Sequence, residues 1–220
     1  MLELNGVTKV FRTGMFGKAH MTAVSDVSFS VEPGEVVSLI GESGSGKTTV
    51  GRMILRLTEA TAGTITFEGR DVATFDRGDL RRYYAHVQGV FQDPFSSYNP
   101  VYKIDRVLGM IRTSYLHDLS SSDWSRKVRS SLEAVSLEPA DVLGKYPHQL
   151  SGGQLQRLMI ARALLLDIRF LVADEIISML DASTRIDVLN LLGDLKAGGL
   201  GVLFVTHDLS LGNYISDQAI

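Results

Sequence analysis

One stretch of the chain has the residue types and the spacing needed to hold a phosphate group. It fits the pattern of a glycine, four residues, a second glycine, a lysine, and serine or threonine. Glycines let the backbone curl around an anion so that successive N–H groups point at it. The members of this loop and the residue that follows it are Gly41, Glu42, Ser43, Gly44, Ser45, Gly46, Lys47, Thr48 and Thr49.

The side chains at the end of the loop suit a nucleoside triphosphate. Lys47 is expected to reach the β- and γ-phosphates, and the hydroxyl of Thr48 to bind Mg²⁺. A glycine-rich turn that only caps a helix is the alternative. The loop stands between an apolar run and a helical pattern, which is the strand, loop and helix order that a phosphate loop requires, and this order favours phosphate binding.

Two adjacent acids stand at the end of a second apolar run. Asp174 and Glu175 follow residues 171–173, and strands of a parallel sheet present their carboxyl ends at one edge, where ligands bind. Asp174 is therefore expected to bind Mg²⁺, and Glu175 to polarise the attacking water. Taken alone, such a pair is often only a solvated turn, and the phosphate loop is what favours a catalytic role.

A second helix start carries an unusual pair of glycines. Leu150 precedes four residues that open the helix, Ser151 as the N-cap and Gln154 three residues later in a capping-box arrangement, with Gly152 and Gly153 between them. Glycine costs helix stability of about 1 kcal/mol relative to alanine. A well-capped helix is the simple explanation, but the cost of two glycines indicates a backbone that an anion approaches closely. Since the phosphate loop has its own helix, a second copy of the chain could supply that anion.

The elements that carry these residues alternate between strands and helices. Apolar alternation before the turn at 32–34 predicts a hairpin that feeds a buried strand over 36–40. Further strands are predicted over 63–69, 87–91, 170–173 and 202–205, and helices over 50–57, 151–166 and 183–196. Residues 103–144 show helical spacing and predict an inserted helical subdomain. The whole pattern predicts an α/β fold with a mostly parallel sheet.

Length and composition exclude several classes of protein. The 220 residues suit one globular domain, with 45% hydrophobic and 21% charged residues. No run is long and apolar enough to span a membrane, and no secretory signal is recognised, which favours a cytosolic location. The absence of cysteine excludes disulfides and thiol chemistry, and the net charge of −3 argues against a nucleic-acid partner. The chain ends at Ile220, and a truncated C-terminus is expected.

Taken in order, these motifs resemble the ATP-binding cassette domain of ABC transporters over nearly the full length. Residues 41–48 resemble the Walker A loop, 150–154 the LSGGQ signature, 171–175 the Walker B strand and 178–181 the D-loop. The resemblance implies a P-loop NTPase core with a mostly parallel sheet, an N-terminal antiparallel β subdomain and an inserted helical subdomain. One nucleotide-binding domain over 1–220 is expected, with a core of 1–91 and 160–220 and a helical subdomain over about 92–159.

The same resemblance implies roles for residues that are uninformative alone. Phe11 would stack on adenine, with Phe16 as the competing aromatic; Gln92 would contact magnesium or the attacking water; and His207 would contact the γ-phosphate. The family arrangement implies a head-to-tail dimer with a second ABC ATPase subunit, either an identical copy or a paralogue. Two ATP molecules are held in it, each between the Walker A loop of one chain and the signature of the other. One departure is Ile176, where the family commonly has proline, and it puts the geometry of the following turn in question.

Residues 91–100 narrow the resemblance to one branch of importers. This segment resembles that of the dipeptide, oligopeptide and nickel importers, with Tyr98 where leucine is usual. The implied function is an ATPase subunit that powers peptide import through a membrane permease, at the cytoplasmic face, with a substrate-binding protein as an indirect partner. Import of nickel or another small solute is the alternative. A non-transport ABC ATPase usually carries a coiled-coil insertion or a second cassette, and another P-loop enzyme does not explain residues 150–154.

Overall fold

The computed structural model describes residues 1–13, 19–178 and 180–220, with only the backbone described for Thr13 and Ala19. These residues form two compact units. Unit 1 contains Met1–Gly89, Arg169–Asp174 and Leu195–Ile220, and unit 2 contains Val90–Ile168 and Glu175–Asp194. The chain therefore passes from one unit to the other between Asp174 and Glu175.

The described part of the chain contains nine strands and eight α-helices. The strands are β1 (Leu2–Thr13), β2 (Ala19–Val31), β3 (Val36–Ile40), β4 (Ala62–Phe67), β5 (Arg70–Asp71), β6 (Val87–Val90), β7 (Phe170–Asp174), β8 (Gly201–Thr206) and β9 (Gln218–Ala219). The α-helices are α1 (Lys47–Ile54), α2 (Arg77–His86), α3 (Ile104–Tyr115), α4 (Ser121–Glu133), α5 (Pro139–Val142), α6 (Gly152–Leu164), α7 (Ala182–Ala197) and α8 (Leu209–Ile215). Short 3₁₀ helices cover Val72–Thr74 and Pro147–Gln149.

A five-stranded sheet with the order β6-β7-β8-β3-β9 forms the centre of unit 1. Strand β3 pairs in parallel with β8 and β9, and β7 pairs in parallel with β8. Every residue of β7 and β8 is buried, as are four of the five in β3. Continuous apolar runs of this kind are typical of parallel strands covered on both faces. The predicted mostly parallel sheet is confirmed.

A second, antiparallel sheet with the order β2-β1-β4-β5 supplies the rest of unit 1. Its inward positions include Leu2, Leu4 and Val7, which are at most 1% exposed. The predicted hairpin around residues 32–34 is wrong, because β2 pairs with β1 whereas β3 lies in the other sheet. The turn between β2 and β3 therefore carries the chain from one sheet to the other.

Helix α1 is fixed at its C-terminal end by aromatic side chains from α2. The hydroxyl of Tyr83, which is 2% exposed, donates to the carbonyl of Ile54 at 2.6 Å, and that of Tyr84 donates to Leu55 at 3.3 Å. The last carbonyls of a helix have no partner within it, so these hydroxyls satisfy groups that would otherwise be costly to bury. Burial holds the pKa of Tyr83 well above its ordinary value, so the hydroxyl keeps its proton.

Unit 2 is helical, and α4, α5 and α6 each begin at a recognisable N-terminal signal. The hydroxyl of Ser120 accepts from the N–H of Asp123 at 3.1 Å before α4, and Pro139 opens α5. Helix α4 packs against α5 and α6. Apolar side chains at helical spacing are buried, as the sequence predicted for residues 103–144; they include Val107, Leu108, Val128, Leu132 and Val135. Leu155 and Leu158 of α6 are buried as well.

Candidate functional site

The phosphate loop joins the buried strand β3 to α1, both in unit 1. Gly46 stands at the N-cap of α1, where no side chain caps the helix and no acidic residue occupies the first turn. The first N–H groups of a helix have no partner inside it, and the positive end of the helix dipole attracts anions. The N-terminus of α1 therefore has the free N–H groups and the positive partial charge that favour binding of a phosphate group.

Two glycines of the loop both have a positive φ, but only Gly46 also lacks room for a side chain. Gly46 has a φ of 98°, and a Cβ there would lie 2.2 Å from the backbone oxygen of Ala23 in β2. Gly44 has a φ of 85°, but a Cβ there would meet nothing within 4 Å. The contact with Ala23 ties the loop to the antiparallel sheet, and nothing in the local sequence indicated this contact.

Lys47 folds back along the loop that precedes it. Its Nζ donates to the carbonyl oxygens of Gly41 and Glu42, each at 2.7 Å, and to Oγ of Ser45 at 3.4 Å. The residue is only 8% exposed. A buried ammonium group thus stands inside the curve of the loop, where it can neutralise phosphate charge. Thr48, in the first turn of α1, is exposed.

Three neighbouring strands end at the same edge of the parallel sheet. Asp174, at the end of β7, pairs with Val205 of β8, and Ile40, at the end of β3, pairs with Thr206. Adjacent strands lie about 4.8 Å apart, so the carboxylate of Asp174 and the start of the phosphate loop share one edge. Asp174 is 4% exposed, whereas His207, directly after β8, is exposed.

Phe11 lies on β1, near the same loop in unit 1. It pairs with Met21 of β2, and Met21 is two residues from Ala23, whose carbonyl borders Gly46. Two strand residues span about 7 Å. Of the two aromatic residues considered from the sequence, Phe11 is thus near the phosphate loop, whereas Phe16 lies outside the described residues, as does Met179 of the D-loop.

Glu175, which begins the second segment of unit 2 (Glu175–Asp194), has a strained backbone. Its φ of 51° is in the left-handed region, which costs a non-glycine residue roughly 1–2 kcal/mol. The N–H of Ser178 donates to the carbonyl of Glu175 at 3.1 Å and closes a turn, inside which Ile176 is fully buried. Isoleucine is therefore accommodated here by packing, without the restriction of φ that proline would provide.

The segment containing Gln92 is ordered by its own polar groups in unit 2. Gln92 is exposed, and the preceding carbonyl, of Phe91, accepts from Nε2 of Gln156 on α6 at 3.3 Å. Asp93 accepts from the N–H groups of Phe95 and Ser96. Tyr98 is 4% exposed, and the guanidinium of Arg162 lies 5.8 Å from its ring centroid. Burial holds the pKa of Tyr98 well above its ordinary value.

The signature residues open α6 in unit 2 and form the predicted capping box, which is confirmed. The N–H of Ser151 donates to Oε1 of Gln154 at 2.9 Å, and the N–H of Gln154 donates to Oγ of Ser151 at 3.2 Å. A Cβ on Gly153 would approach Cδ2 of Leu180 to 3.4 Å, a tight but ordinary contact, while Gly152 is half-buried. The capping accounts for Ser151 and Gln154 but not for the two glycines.

The D-loop ends at a carboxylate that is already well bonded. Asp181 accepts from the hydroxyl of Ser183 at 2.6 Å, and from the N–H and hydroxyl of Thr184 at 3.0 and 2.8 Å. The bond from Ser183, followed by those from Thr184, holds the pKa of Asp181 well below its usual range. This carboxylate therefore stays ionised at the start of α7, where it fixes the direction of the helix.

The residues predicted for the site fall in both units, and each group is described within its own unit. Unit 1 brings together the loop, Asp174, His207 and the strand that carries Phe11. Unit 2 carries Glu175, the Gln92 segment and the signature helix. No helix within residues 1–13, 19–178 and 180–220 has the length and apolar character needed to cross a bilayer.

A family model described as ABC transporter matches residues 24–178, so this chain belongs to the ABC transporter family. It is 44% identical over its whole length to a Brucella ovis protein named as a peptide import ATP-binding protein, and spans 68% of it. It is also 40% identical, over 99% of its length, to the glutathione import ATP-binding protein GsiA of Salmonella choleraesuis, and spans 36% of that protein.

Solved structures of one cassette agree with this membership. The dimer of MJ0796, a bacterial ABC transporter cassette, matches all of this chain and 93% of its own, at a TM-score of 0.90 and 29% identity. A post-hydrolysis dimer of MJ0796 bound to ADP and Pi matches all of this chain and 96% of the MJ0796 chain, with a TM-score of 0.87 and 28% sequence identity. The predicted P-loop NTPase fold is confirmed, and the chain is an ABC ATPase domain.

The contrast between the two glycines can be tested by alanine substitution. Gly46→Ala should lower the free energy of unfolding by at least about 3 kcal/mol, because the methyl group overlaps the oxygen of Ala23 and the positive φ becomes strained. Gly44→Ala should cost only about 1 kcal/mol, since it meets open space. Urea denaturation of both variants without nucleotide measures the difference. Equal losses would contradict the role given to Ala23.

Proposed function

We propose that this chain is the ATP-binding and ATP-hydrolysing subunit of an importer, and that its active site is completed by a second ABC ATPase subunit. The uncapped N-terminus of α1, next to the buried ammonium group of Lys47, is the observation that supports triphosphate binding most strongly. We also propose that residues 1–220 form one nucleotide-binding domain, with a core over 1–91 and 160–220 and a helical subdomain over about 92–159.

The residues present suit Mg²⁺ as the partner of the nucleotide. No group of three or more histidine, cysteine and acidic residues that could hold a metal exists among residues 1–13, 19–178 and 180–220. Magnesium characteristically binds through one or two carboxylates together with substrate phosphates and water. The carboxylate of Asp174, the hydroxyl of Thr48 and the side-chain oxygen of Gln92 would hold it. When bound, Mg²⁺ neutralises charge on the phosphate oxygens.

Each remaining group has a distinct task in phosphoryl transfer to water. The amides of residues 41–49 and the ammonium of Lys47 bind phosphate oxygens and stabilise charge that develops on them. Glu175 orients a water and accepts its proton as the water oxygen bonds to the γ-phosphorus, while the bond from the γ-phosphorus to the bridging oxygen breaks and ADP leaves. His207 contacts the γ-phosphate, and Phe11 stacks on the base. The strained backbone of Glu175 fits a side chain that must be aimed in one direction.

The partner subunit is required because the signature helix carries an anion site of its own. We propose a head-to-tail arrangement in which Ser151, Gly152, Gly153 and Gln154 of one subunit face the triphosphate held by the other subunit's loop. The glycines at the start of α6 leave its backbone open to close approach. ATP then bridges the two subunits, and loss of the γ-phosphate allows them to separate.

Substitution of Glu175→Gln tests the role of the carboxylate. The amide cannot accept a proton from water, so ATP should stay intact and the protein should elute as an ATP-bound dimer in size-exclusion chromatography. ATP hydrolysis should fall by about 10²-fold or more. The exposed Glu133, at the end of α4, offers an isosteric control, since Glu133→Gln leaves the site unchanged. A Glu175→Gln variant that stays monomeric and hydrolyses ATP normally removes Glu175 from this role.

We further propose peptides as the transported solute. The similar proteins are named for peptide and glutathione import, and residues 91–100 resemble the segment of the dipeptide, oligopeptide and nickel importer branch. The subunit would lie at the cytoplasmic face of the membrane and dock on a permease, with a substrate-binding protein on the other side. The ATPase does not touch the solute, so family membership carries this proposal.

Uptake by the native cell distinguishes the two solute classes. Cells in which Lys47→Ala replaces the normal protein should lose uptake of a labelled dipeptide, because the triphosphate is no longer neutralised. Uptake of labelled Ni²⁺ should be unchanged. Loss of nickel uptake with normal dipeptide uptake would instead identify the chain as part of a nickel importer.

Co-purification of the wild-type protein from membranes should recover the permease.

A further inference from the structure

Lys9 lies directly beside the aromatic ring that the proposed function assigns to adenine. Its Nζ stands over the ring of Phe11, 5.0 Å from the centroid. Both residues belong to β1, and alternate residues of a strand project to the same face. A lysine ammonium within about 6 Å of a ring centroid is attracted by the negative face of the ring. One face of the Phe11 ring is therefore in a cation–π contact with the ammonium group of Lys9.

The ammonium group of Lys9 is itself anchored by a distant part of the chain. Nζ donates to the carbonyl oxygen of Glu59 at 2.6 Å. Two residues later, Oγ1 of Thr61 accepts from the N–H of Val10 at 3.0 Å, and the N–H of Thr61 donates to the carbonyl of Thr8 at 2.8 Å. Residues 59–61 thus brace β1 on both sides of Lys9, so the lysine loses its freedom on folding rather than on ligand binding.

The bracing segment also links the ring to the phosphate loop. Residues 59–61 come shortly after α1, the helix whose first turn carries Lys47. An eight-residue helix is about 12 Å long and stiff. At the other side, Phe11 pairs with Met21, close to the contact between Ala23 and Gly46. The strand that carries the ring is therefore bonded to the segment that follows α1 and, through β2, lies near the loop that precedes it.

We propose that Lys9 is a positioning residue, which holds the Phe11 ring in one orientation so that its opposite face stacks on the adenine of ATP. The inference rests on the proposed function, because it requires Phe11 to contact the base. A cation on one face withdraws electron density from the ring, which reduces its repulsion against an aromatic base on the other face. In this role Lys9 acts on ATP binding through the ring of Phe11.

Binding of two probes separates this role from a general effect of charge. The probes are ATP and inorganic tripolyphosphate, which lacks the base, measured by calorimetry in EDTA so that no hydrolysis occurs. Lys9→Met keeps the aliphatic stem and removes the charge, and should weaken ATP binding about two- to five-fold while leaving tripolyphosphate binding unchanged. Lys9→Arg should restore ATP binding, since a guanidinium also stacks on a ring.

A double-mutant cycle shows whether Lys9 acts through Phe11. In a Phe11→Ala background, Lys9→Met should cause no further loss of ATP affinity. Lys103, whose Nζ lies 5.6 Å from the ring centroid of Tyr146 in unit 2, carries the same kind of contact elsewhere, so Lys103→Met should leave both affinities unchanged. Thermal unfolding of each variant confirms that the fold is intact.

The possible results distinguish the positioning role of Lys9 from the stacking of Phe11 on adenine. Equal weakening of ATP and tripolyphosphate by Lys9→Met, or the same loss in the Phe11→Ala background, overturns the positioning role. No loss with Lys9→Met, when Phe11→Ala does weaken ATP binding alone, also overturns it but leaves base stacking by Phe11 in place. If Phe11→Ala leaves ATP binding unchanged, the assignment of Phe11 to adenine is wrong, and the role of Lys9 falls with it.

Discussion

The uncapped amides at the start of α1 are the constraint on which the rest of the structure depends. A glycine in a left-handed conformation takes the N-cap position, and its lack of a capping side chain costs only a few tenths of a kcal/mol of helix stability while leaving the first amides open. The loop can curl this way only because Gly46 fits against the oxygen of Ala23. The antiparallel sheet, through Ala23, and the parallel sheet, through β3, hold this one turn in place, and the proposed chemistry begins there.

The first backbone N–H groups at the two glycine-rich helix starts, those of α1 and α6, have different surroundings. At α1 the ammonium of Lys47 stands inside the loop, so charge is neutralised by the chain itself. At α6 the capping box of Ser151 and Gln154 satisfies donors, and the glycines leave the backbone accessible without adding a cation. We therefore propose that the start of α1 binds the triphosphate by itself and that the start of α6 completes a site that already contains one. This difference is why a partner subunit is proposed.

Those parts of the fold that follow from local pattern were predicted from the sequence. Strands β3, β7 and β8 are continuous apolar runs, and α3, α4 and α6 repeat apolar residues at helical spacing. Helix α2 was missed because it is strongly charged and buries only Tyr83. The hairpin was wrong because a turn does not reveal which sheet the next strand joins. The contacts of Ala23 and Lys9 join residues distant in the chain, so no local pattern contains them.

Crosslinking between introduced cysteines tests the shared site most directly, because the natural chain has no cysteine that could compete. Ser45 and Ser151 are both exposed, one in the phosphate loop and the other before α6. In the Glu175→Gln background, a protein with Ser45→Cys and Ser151→Cys should form a covalent dimer with ATP present and little without it. A pair of Ser45→Cys and Ser130→Cys, the latter on α4, should not. Failure of the first pair to crosslink in ATP would contradict a triphosphate held between two subunits.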